Sequence, residues 1–400
     1  MLKLVPIEDL KTGMFVNRVT RQTAQLKIKT QGLIKDSRLI SKLKERGIQE
    51  VEVDLSRSIL MDAPEVEIPA EEPKAETKKA KPQKKSDAEL LSDAHNLYSQ
   101  AKVVQSKFFK RIRKGAQVKV TELMSLSHNI MESVFENPNA LSCLTLIKDK
   151  NDYLLEHSLN CSILMGLFAR HLGFDRQLID ELGQAGMLMD VGMATMPDEL
   201  MDKPALLDAK EHDKIRTHVF FGVDLVQKSG EGSTVILDVI ANHHERLDGS
   251  GYPNGKQGDE LSVYARMAAI VDTYDSLTSD RPWRKAMSPT QSLKSLLSSS
   301  QGKLDQSLVQ QFIRCLGVHP VGSLVKLKSG KLAIVTRLNK EDPLSPVVMT
   351  FYSVRLGTYS EVKQVDLGKV QDSIESSVRP EEFKLNLPKF FKEVFLQQLG

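Results

Sequence analysis

The densest chemistry in the chain is the run His243-His244-Glu245-Arg246-Leu247-Asp248-Gly249-Ser250-Gly251-Tyr252-Pro253. Adjacent histidines on a helix project about 100° apart, so each can serve a different ion of a cluster. The glycine-rich turn from Asp248 to Pro253 lets backbone approach a ligand without Cβ clashes. A His-His pair alone is a weak signal, but other positions add to it. His157 sits at the start of a helix, Asp190 ends another just before Gly192, His218 lies on a third and Asp272 on a fourth. With His243 and His244 they make six nitrogen and oxygen donors spread over several helices. Imidazole with carboxylate suits iron, manganese, zinc or nickel, and helical bundles build such sites from side chains on facing helices. Sulfur takes no part. Cys143, Cys161 and Cys315 are far apart with no CxxC spacing, which excludes a disulfide framework and a zinc-thiolate knuckle and points to a reducing compartment. The methionines at 187, 189, 193, 196 and 201 read as apolar packing.

The elements that must position these donors follow from periodicity. Four hundred residues exceed one ordinary core, so two or three domains are expected. Residues 1–60 read as a small α+β domain: short strands around a turn at Thr12-Gly13, a helix opened by Ser37 with Leu39, Ile40 and Leu43, and a half-exposed strand in which Val51 and Val53 alternate with acids. Residues 61–87 carry glutamates 65, 67, 71, 72 and 76 followed by lysines 78, 79, 81, 84 and 85, with prolines interspersed, and read as a solvated linker. Residues 88–317 are helical in period, with stripes such as Leu159, Ile163 and Leu167. Residues 318–400 turn β-like, with short runs at 324–327, 332–336 and 347–352. The fold class is therefore mainly α, with a small α+β domain before the helices and a β-rich extension after them. A net charge of +3 is too close to neutral to imply a nucleic-acid surface, so no nucleic-acid polymer is expected as a partner. No apolar run approaches the roughly 20 residues of a membrane span, and no signal peptide opens the chain, so the cytoplasm is the expected location.

At this point the chain resembles a known family. The stretch from about Asp152 to Leu316 looks like an HD-GYP domain, the bacterial branch of the HD phosphohydrolases that acts on cyclic di-GMP. The matching segments are His157-Ser158, Pro197 with Lys203-Pro204, His218 with Gly222, the HHERLDGSGYP run, and Ala269-Ile270-Val271-Asp272 followed by Asp275, Leu277, Arg281-Pro282 and Arg284. Residues 1–60 resemble the small domain often found before HD-GYP domains, and the tail from Gly317 resembles the family's C-terminal extension. The resemblance implies an HD-type helical bundle and one or two divalent ions, iron or manganese first among them. It implies metal ligands His157, Asp190, His218, His243, His244 and Asp272, with Asp190 bridging two ions. Asp275, Arg281, Arg284, Gly251, Tyr252 and Pro253 are the implied substrate-binding residues. Cyclic di-GMP or a related cyclic dinucleotide is the implied partner, with signalling proteins beside it.

One departure bears on activity. The family's His-Asp dyad is followed three residues later by a lysine; here the histidine is Met189 and the lysine is Met193, while Asp190 survives. An acid four residues before His157, which a third ion would use, is Tyr153. A thioether is a poor ligand for hard or borderline ions. Losing one electrostatic donor beside a reacting phosphate costs on the order of 10²–10³ in rate. Two readings stay open: a slow metal-dependent phosphodiesterase, or a domain that senses the nucleotide or docks partners without hydrolysis. Simpler roles are open for some residues: Asp275 as a partner of Arg281, Tyr252 as packing within its turn, and Trp283 as buried packing.

Overall fold

A computed structural model describes residues 2–11, 14–22, 32–34, 40, 43–44, 47–54, 87–148, 153–201, 203–299, 302–339 and 341–390. The expected linker lies outside them up to residue 86, as do Thr12, Gly13, Ser37 and Leu39. The chain divides into two compact units, 1–81 and 82–400.

In the first unit, β1 (Leu2–Pro6), β2 (Phe15–Gln22), β3 (Gly32–Leu33) and β4 (Ile48–Asp54) form an antiparallel sheet in the order β1-β4-β2-β3. Val5, Val16, Ile34, Leu43, Ile48, Val51 and Val53 make its core. The strand expected to be half exposed is not: Glu52 is only 8% exposed between its buried valines. β4 is an inner strand, shielded by β1 on one side and β2 on the other.

The second unit is built around one buried helix. α1 (Asp87–Arg113), α2 (Thr121–Glu136) and α3 (Pro138–Leu144) precede α4 (Tyr153–His171), in which every residue from Glu156 to Ala169 is buried. A helix buried on all faces must satisfy its polar side chains internally. Asn160 accepts from the Tyr98 hydroxyl at 2.8 Å, Ser162 pairs with Ser127 at 3.0 Å, and Glu156 accepts from Lys102 at 2.9 Å. α5 (Arg176–Leu188) starts where Asp175 accepts from the Leu178 amide, and it leads into a 3-10 turn over Val191–Thr195. α6 (Asp198–Met201) is short; α7 (Ala209–Ser229) opens on an Asp208–Glu211 capping box and ends at Gly230, whose φ of 72° suits a left-handed cap. α8 (Thr234–Asn242) and α9 (Val263–Leu277) take serine caps, Ser233 and Ser262. α10 (Pro289–Ser299) and α11 (Gln306–Leu316) close the helical part, Phe312 of α11 meeting Phe168 and Tyr274 edge-on at 5.1 and 5.4 Å.

The chain then forms β5 (Leu324–Leu327), β6 (Lys331–Arg337), β7 (Val347–Ser353), β8 (Thr358–Asp366) and β9 (Ile374–Ser377), antiparallel in the order β8-β7-β6-β5-β9. The buried side of β6 and β7 continues the hydrophobic core of the helices. α12 (Leu387–Phe390) returns to the sheet, stacking Phe390 on Phe351 at 4.3 Å. Mainly α with a small sheet at either end is the class the periodicity suggests. Among the described residues no helix is long and apolar enough to cross a membrane.

The turn after α5 touches α7 at Gly192, where an added Cβ would fall 2.0 Å from the His218 carbonyl oxygen and 2.7 Å from the Gly222 amide. Only glycine permits this approach, and it brings Asp190 to His218. Gly192→Ala should therefore cost about 1–3 kcal/mol by urea unfolding, the usual range for overpacking. An unchanged midpoint would show that the turn is not held this way.

Candidate metal centre

Six side chains from five places in the chain meet in the second unit. The donor atoms of Asp190, His218, His243 and His244 all lie within 4.8 Å of one another, as do those of His157, Asp190 and Asp272. Asp190 belongs to both groups. Its Oδ2 is 3.0 Å from His157 Nε2, while its Oδ1 is 3.2 Å from His218 Nε2 and 3.7 Å from His243 Nε2. Asp272 closes the far side, 3.3 Å from His157 Nε2 and 3.5 Å from His244 Nδ1.

The tautomers follow from the backbone. His218 Nδ1 lies 2.7 Å from the Ile215 carbonyl oxygen and His243 Nδ1 lies 2.9 Å from that of Ile240. A carbonyl can only accept, so each Nδ1 carries the proton and donates it. Nε2 of each ring then faces an Asp190 oxygen, and both Nε2 atoms are buried with no hydrogen-bond partner. With Nδ1 committed to the backbone, Nε2 is the atom each ring has left to offer a cation beside that carboxylate. Burial opposes charge on Asp190, yet His157, first among its imidazole neighbours and 3.0 Å from Oδ2, holds its pKa well below the usual carboxylate range. Burial and the neighbouring His243 hold His244 well below the ordinary histidine value, leaving it a neutral donor.

His157 is oriented from behind. Its Nδ1 donates to Asp275 Oδ2 at 2.8 Å, which aims Nε2 at Asp190 and Asp272. The other Asp275 oxygen accepts from Lys148 Nζ at 2.6 Å and Asn160 Nδ2 at 3.0 Å. Lys148 also reaches the hydroxyls of Thr278 and Ser279 at 3.0 and 2.7 Å. Asp275 pairs with Lys148 and not Arg281, and its carboxylate is 1% exposed with both oxygens engaged. It stands behind the His157 ring. Lys148 carried no motif and sequence reasoning missed it. Cys161 Sγ lies 3.7 Å from the His157 ring, but burial pushes its thiol up to about 12 and keeps it neutral.

Several side chains around the donors differ from expectation. The paired histidines are not within a helix: α8 ends at Asn242 and His243 is its cap, because the Glu245 amide closes a tight turn onto the Asn242 carbonyl at 2.9 Å. The Glu245 carboxylate then accepts from the amides of Asn254 at 2.7 Å and Lys256 at 3.2 Å, anchoring the glycine-rich loop from beneath. Gly251 is required there, since a Cβ would fall 2.4 Å from the Arg246 amide nitrogen. Tyr252, which precedes Pro253, stacks on His244 at 4.6 Å between ring centres, with the Arg216 guanidinium 5.1 Å from its own ring. Arg281 lies 3.4 Å over the Tyr153 ring, and Tyr153 stacks on His157 at 5.2 Å. Arg281 and Arg284 face each other across a backbone turn, and Arg284 donates to the Ser276 carbonyl. Trp283 is 37% exposed at the tip of that turn, not buried. Met189 is fully buried in the hydrophobic core, and Met193 is half-buried on the 3-10 turn.

Lys148→Met should destabilise the protein by about 3–5 kcal/mol, because it leaves the Asp275 charge buried with its cation removed. Chemical unfolding measures it, and a loss below about 1 kcal/mol would show that the Asp275 charge is not balanced by this lysine.

A family model described as an HD domain matches residues 142–308, the stretch that carries every donor, and a domain of unknown function matches residues 2–123. The chain is 32% identical over 374 residues to cyclic di-GMP phosphodiesterase PA4108 of Pseudomonas aeruginosa, covering 92% of this chain and 90% of that one. It is 31% identical over 176 residues to 3′3′-cGAMP-specific phosphodiesterase 1 of Vibrio cholerae, covering 44% of this chain and 41% of the relative. Among solved structures, a HDG"Y"P protein from Bdellovibrio bacteriovorus, Bd1817, aligns with a TM-score of 0.47 at 14% identity over 79% of this chain and 99% of that one. The first of these relatives is matched along nearly its whole length, and the HD stretch is the one in which the imidazoles and carboxylates converge. The chain belongs to the HD-GYP family.

Proposed function

We propose that the chain is a metal-dependent phosphodiesterase of cyclic dinucleotides, cyclic di-GMP first among them, with slow hydrolysis. The observation that carries this is the pair of buried Nε2 atoms on His218 and His243, without partners and facing Asp190. The residues fit divalent iron or manganese, since every donor is an imidazole nitrogen or carboxylate oxygen. His157, Asp190 and Asp272 would hold one ion, and Asp190, His218 and His243, with His244 beside them, another. Ions held there supply Lewis acidity to phosphoryl oxygens and lower the pKa of water.

The chain's own groups do the rest. Asp190, common to both donor groups, would bring negative charge to each ion held there, and Asp272 would complete the group around His157. Asp275, tied to Lys148, keeps His157 Nε2 aimed at the centre. Tyr252, stacked on His244, gives an aromatic wall above the donors against which a base can lie. Among the described residues no carboxylate lies within ion-pair distance of Arg281, so its guanidinium is available for a phosphate.

Met189 and Met193 favour a second reading, a domain that binds the nucleotide without cleaving it. Neither side chain offers a hard donor or a positive charge. Two comparisons decide. Protein loaded with manganese or iron should open cyclic di-GMP slowly, and His243→Ala should lower the rate at least about 100-fold. Absence of turnover with any divalent ion would leave the binding reading. The double variant Met189→His, Met193→Lys should raise kcat by on the order of 10²–10³, the range for restoring one electrostatic donor. A variant no faster than the natural chain would show that the methionines do not limit the reaction.

A further inference from the structure

Tyr153 takes the place of an acid in the family pattern, and its side chain makes two ring contacts beside the metal centre. It opens α4 one helical turn before His157, and the two rings stack 19° from parallel with centres 5.2 Å apart. His157 is itself braced, because its Nδ1 is 2.8 Å from Asp275 Oδ2 and Asp275 accepts from Lys148 at 2.6 Å. Tyr153 therefore rests on a fixed ring. The second contact is with Arg281, whose guanidinium carbon lies 3.4 Å from the centre of the Tyr153 ring. A planar cation against an aromatic face is attractive, and more so where water is excluded.

The hydroxyl takes no part in either contact. Among the described residues nothing hydrogen-bonds Tyr153 Oη, although it is buried. An unsatisfied buried hydroxyl costs stability, so the useful part of this side chain is its face. Arg281, for its own part, needs something to hold it. Paired backbone hydrogen bonds of 2.8 and 3.1 Å join it to Arg284, which donates to the Ser276 carbonyl at 2.6 Å. Burial first, and then the nearby Arg281 charge, lowers the Arg284 pKa. Two like charges on one short turn repel, and the Tyr153 face ties Arg281 to the helix that carries His157.

We propose that Tyr153 is a positioning residue for phosphate binding: its ring holds the Arg281 guanidinium in a fixed relation to the metal ligand His157. Arg281 then meets the phosphate already oriented, and less is lost in ordering a long side chain on binding. The identity of the ligand rests on the functional reading above, whereas the coupling of Tyr153 to Arg281 does not.

Calorimetry on the full chain loaded with manganese tests this, with a hydrolysis-resistant phosphorothioate analogue of cyclic di-GMP as titrant. Tyr153→Phe should bind within about twofold of the natural chain, and Tyr153→Leu about 3–30-fold more weakly. In an Arg281→Ala background Tyr153→Leu should cost nothing further. Tyr153→Met, closer in volume, takes the place of the leucine variant should that one not fold. Trp283, the only tryptophan of the chain, has its ring 5.8 Å from the Arg281 guanidinium, so its emission follows the same cycle without nucleotide. That emission should change in Tyr153→Leu, stay as it is in Tyr153→Phe, and respond no further to Tyr153→Leu once Arg281 is alanine. The proposal is overturned if Tyr153→Phe loses as much affinity as Tyr153→Leu, or if Tyr153→Leu binds like the natural chain. A loss just as large without Arg281 overturns it too, since the ring would then act through His157 alone. A natural chain that binds no analogue removes the functional reading instead. The emission cycle then decides, and equal emission from the phenylalanine and leucine variants overturns the positioning of Arg281 by this ring.

Discussion

Asp190 is buried in the second unit with His157 Nε2 3.0 Å from one oxygen and His218 Nε2 3.2 Å from the other. A carboxylate removed from water is costly unless its charge is met by partners. Backbone carbonyls take the Nδ1 protons of His218 and His243, so those rings present Nε2 to Asp190. Such an arrangement is poor for an empty protein interior and good for an interior that closes around cations. The energetic cost of assembling it is borne by the surrounding core.

The helical architecture serves that one requirement. α4 is buried along almost its whole length, which lets His157 stand deep in the unit without reaching solvent. Gly192 lets the Asp190 turn press on α7 beside His218. Glu245 ties the loop after the paired histidines by two backbone amides, so Tyr252 lies flat on His244. Lys148 and Asn160 neutralise and fix Asp275, and through it the ring of His157. The C-terminal sheet shares the hydrophobic core of the helices and so forms part of the same body.

Much of the donor set was legible in the sequence because histidine and aspartate in a helical chain have few reasons to sit on buried faces. The run ending in Gly251-Tyr252-Pro253 also carried its geometry openly, since only glycine tolerates the backbone approach at 251. What could not be read was the layer behind the donors. Lys148 lies 127 residues from Asp275 in sequence, and nothing local marks a lysine whose partner is that distant. Glu245 reads as one more surface acid until the loop folds back onto it. Trp283 was misjudged for a related reason: a large aromatic side chain is usually buried, but the turn joining Arg281 to Arg284 leaves it at the tip. Periodicity gave the helices and the strands of the tail, whereas the burial of Glu52 depended on β4 being an inner strand, which only the sheet order decides.

X-ray absorption at the metal edge of the protein loaded with iron or manganese addresses the centre most directly. The account predicts a shell of nitrogen and oxygen scatterers at about 2.0–2.2 Å with the outer-sphere signature of several imidazoles, and no sulfur. A sulfur shell, or a spectrum without imidazole scattering, would contradict it, because the ion would then not be held where His157, His218 and His243 converge on Asp190.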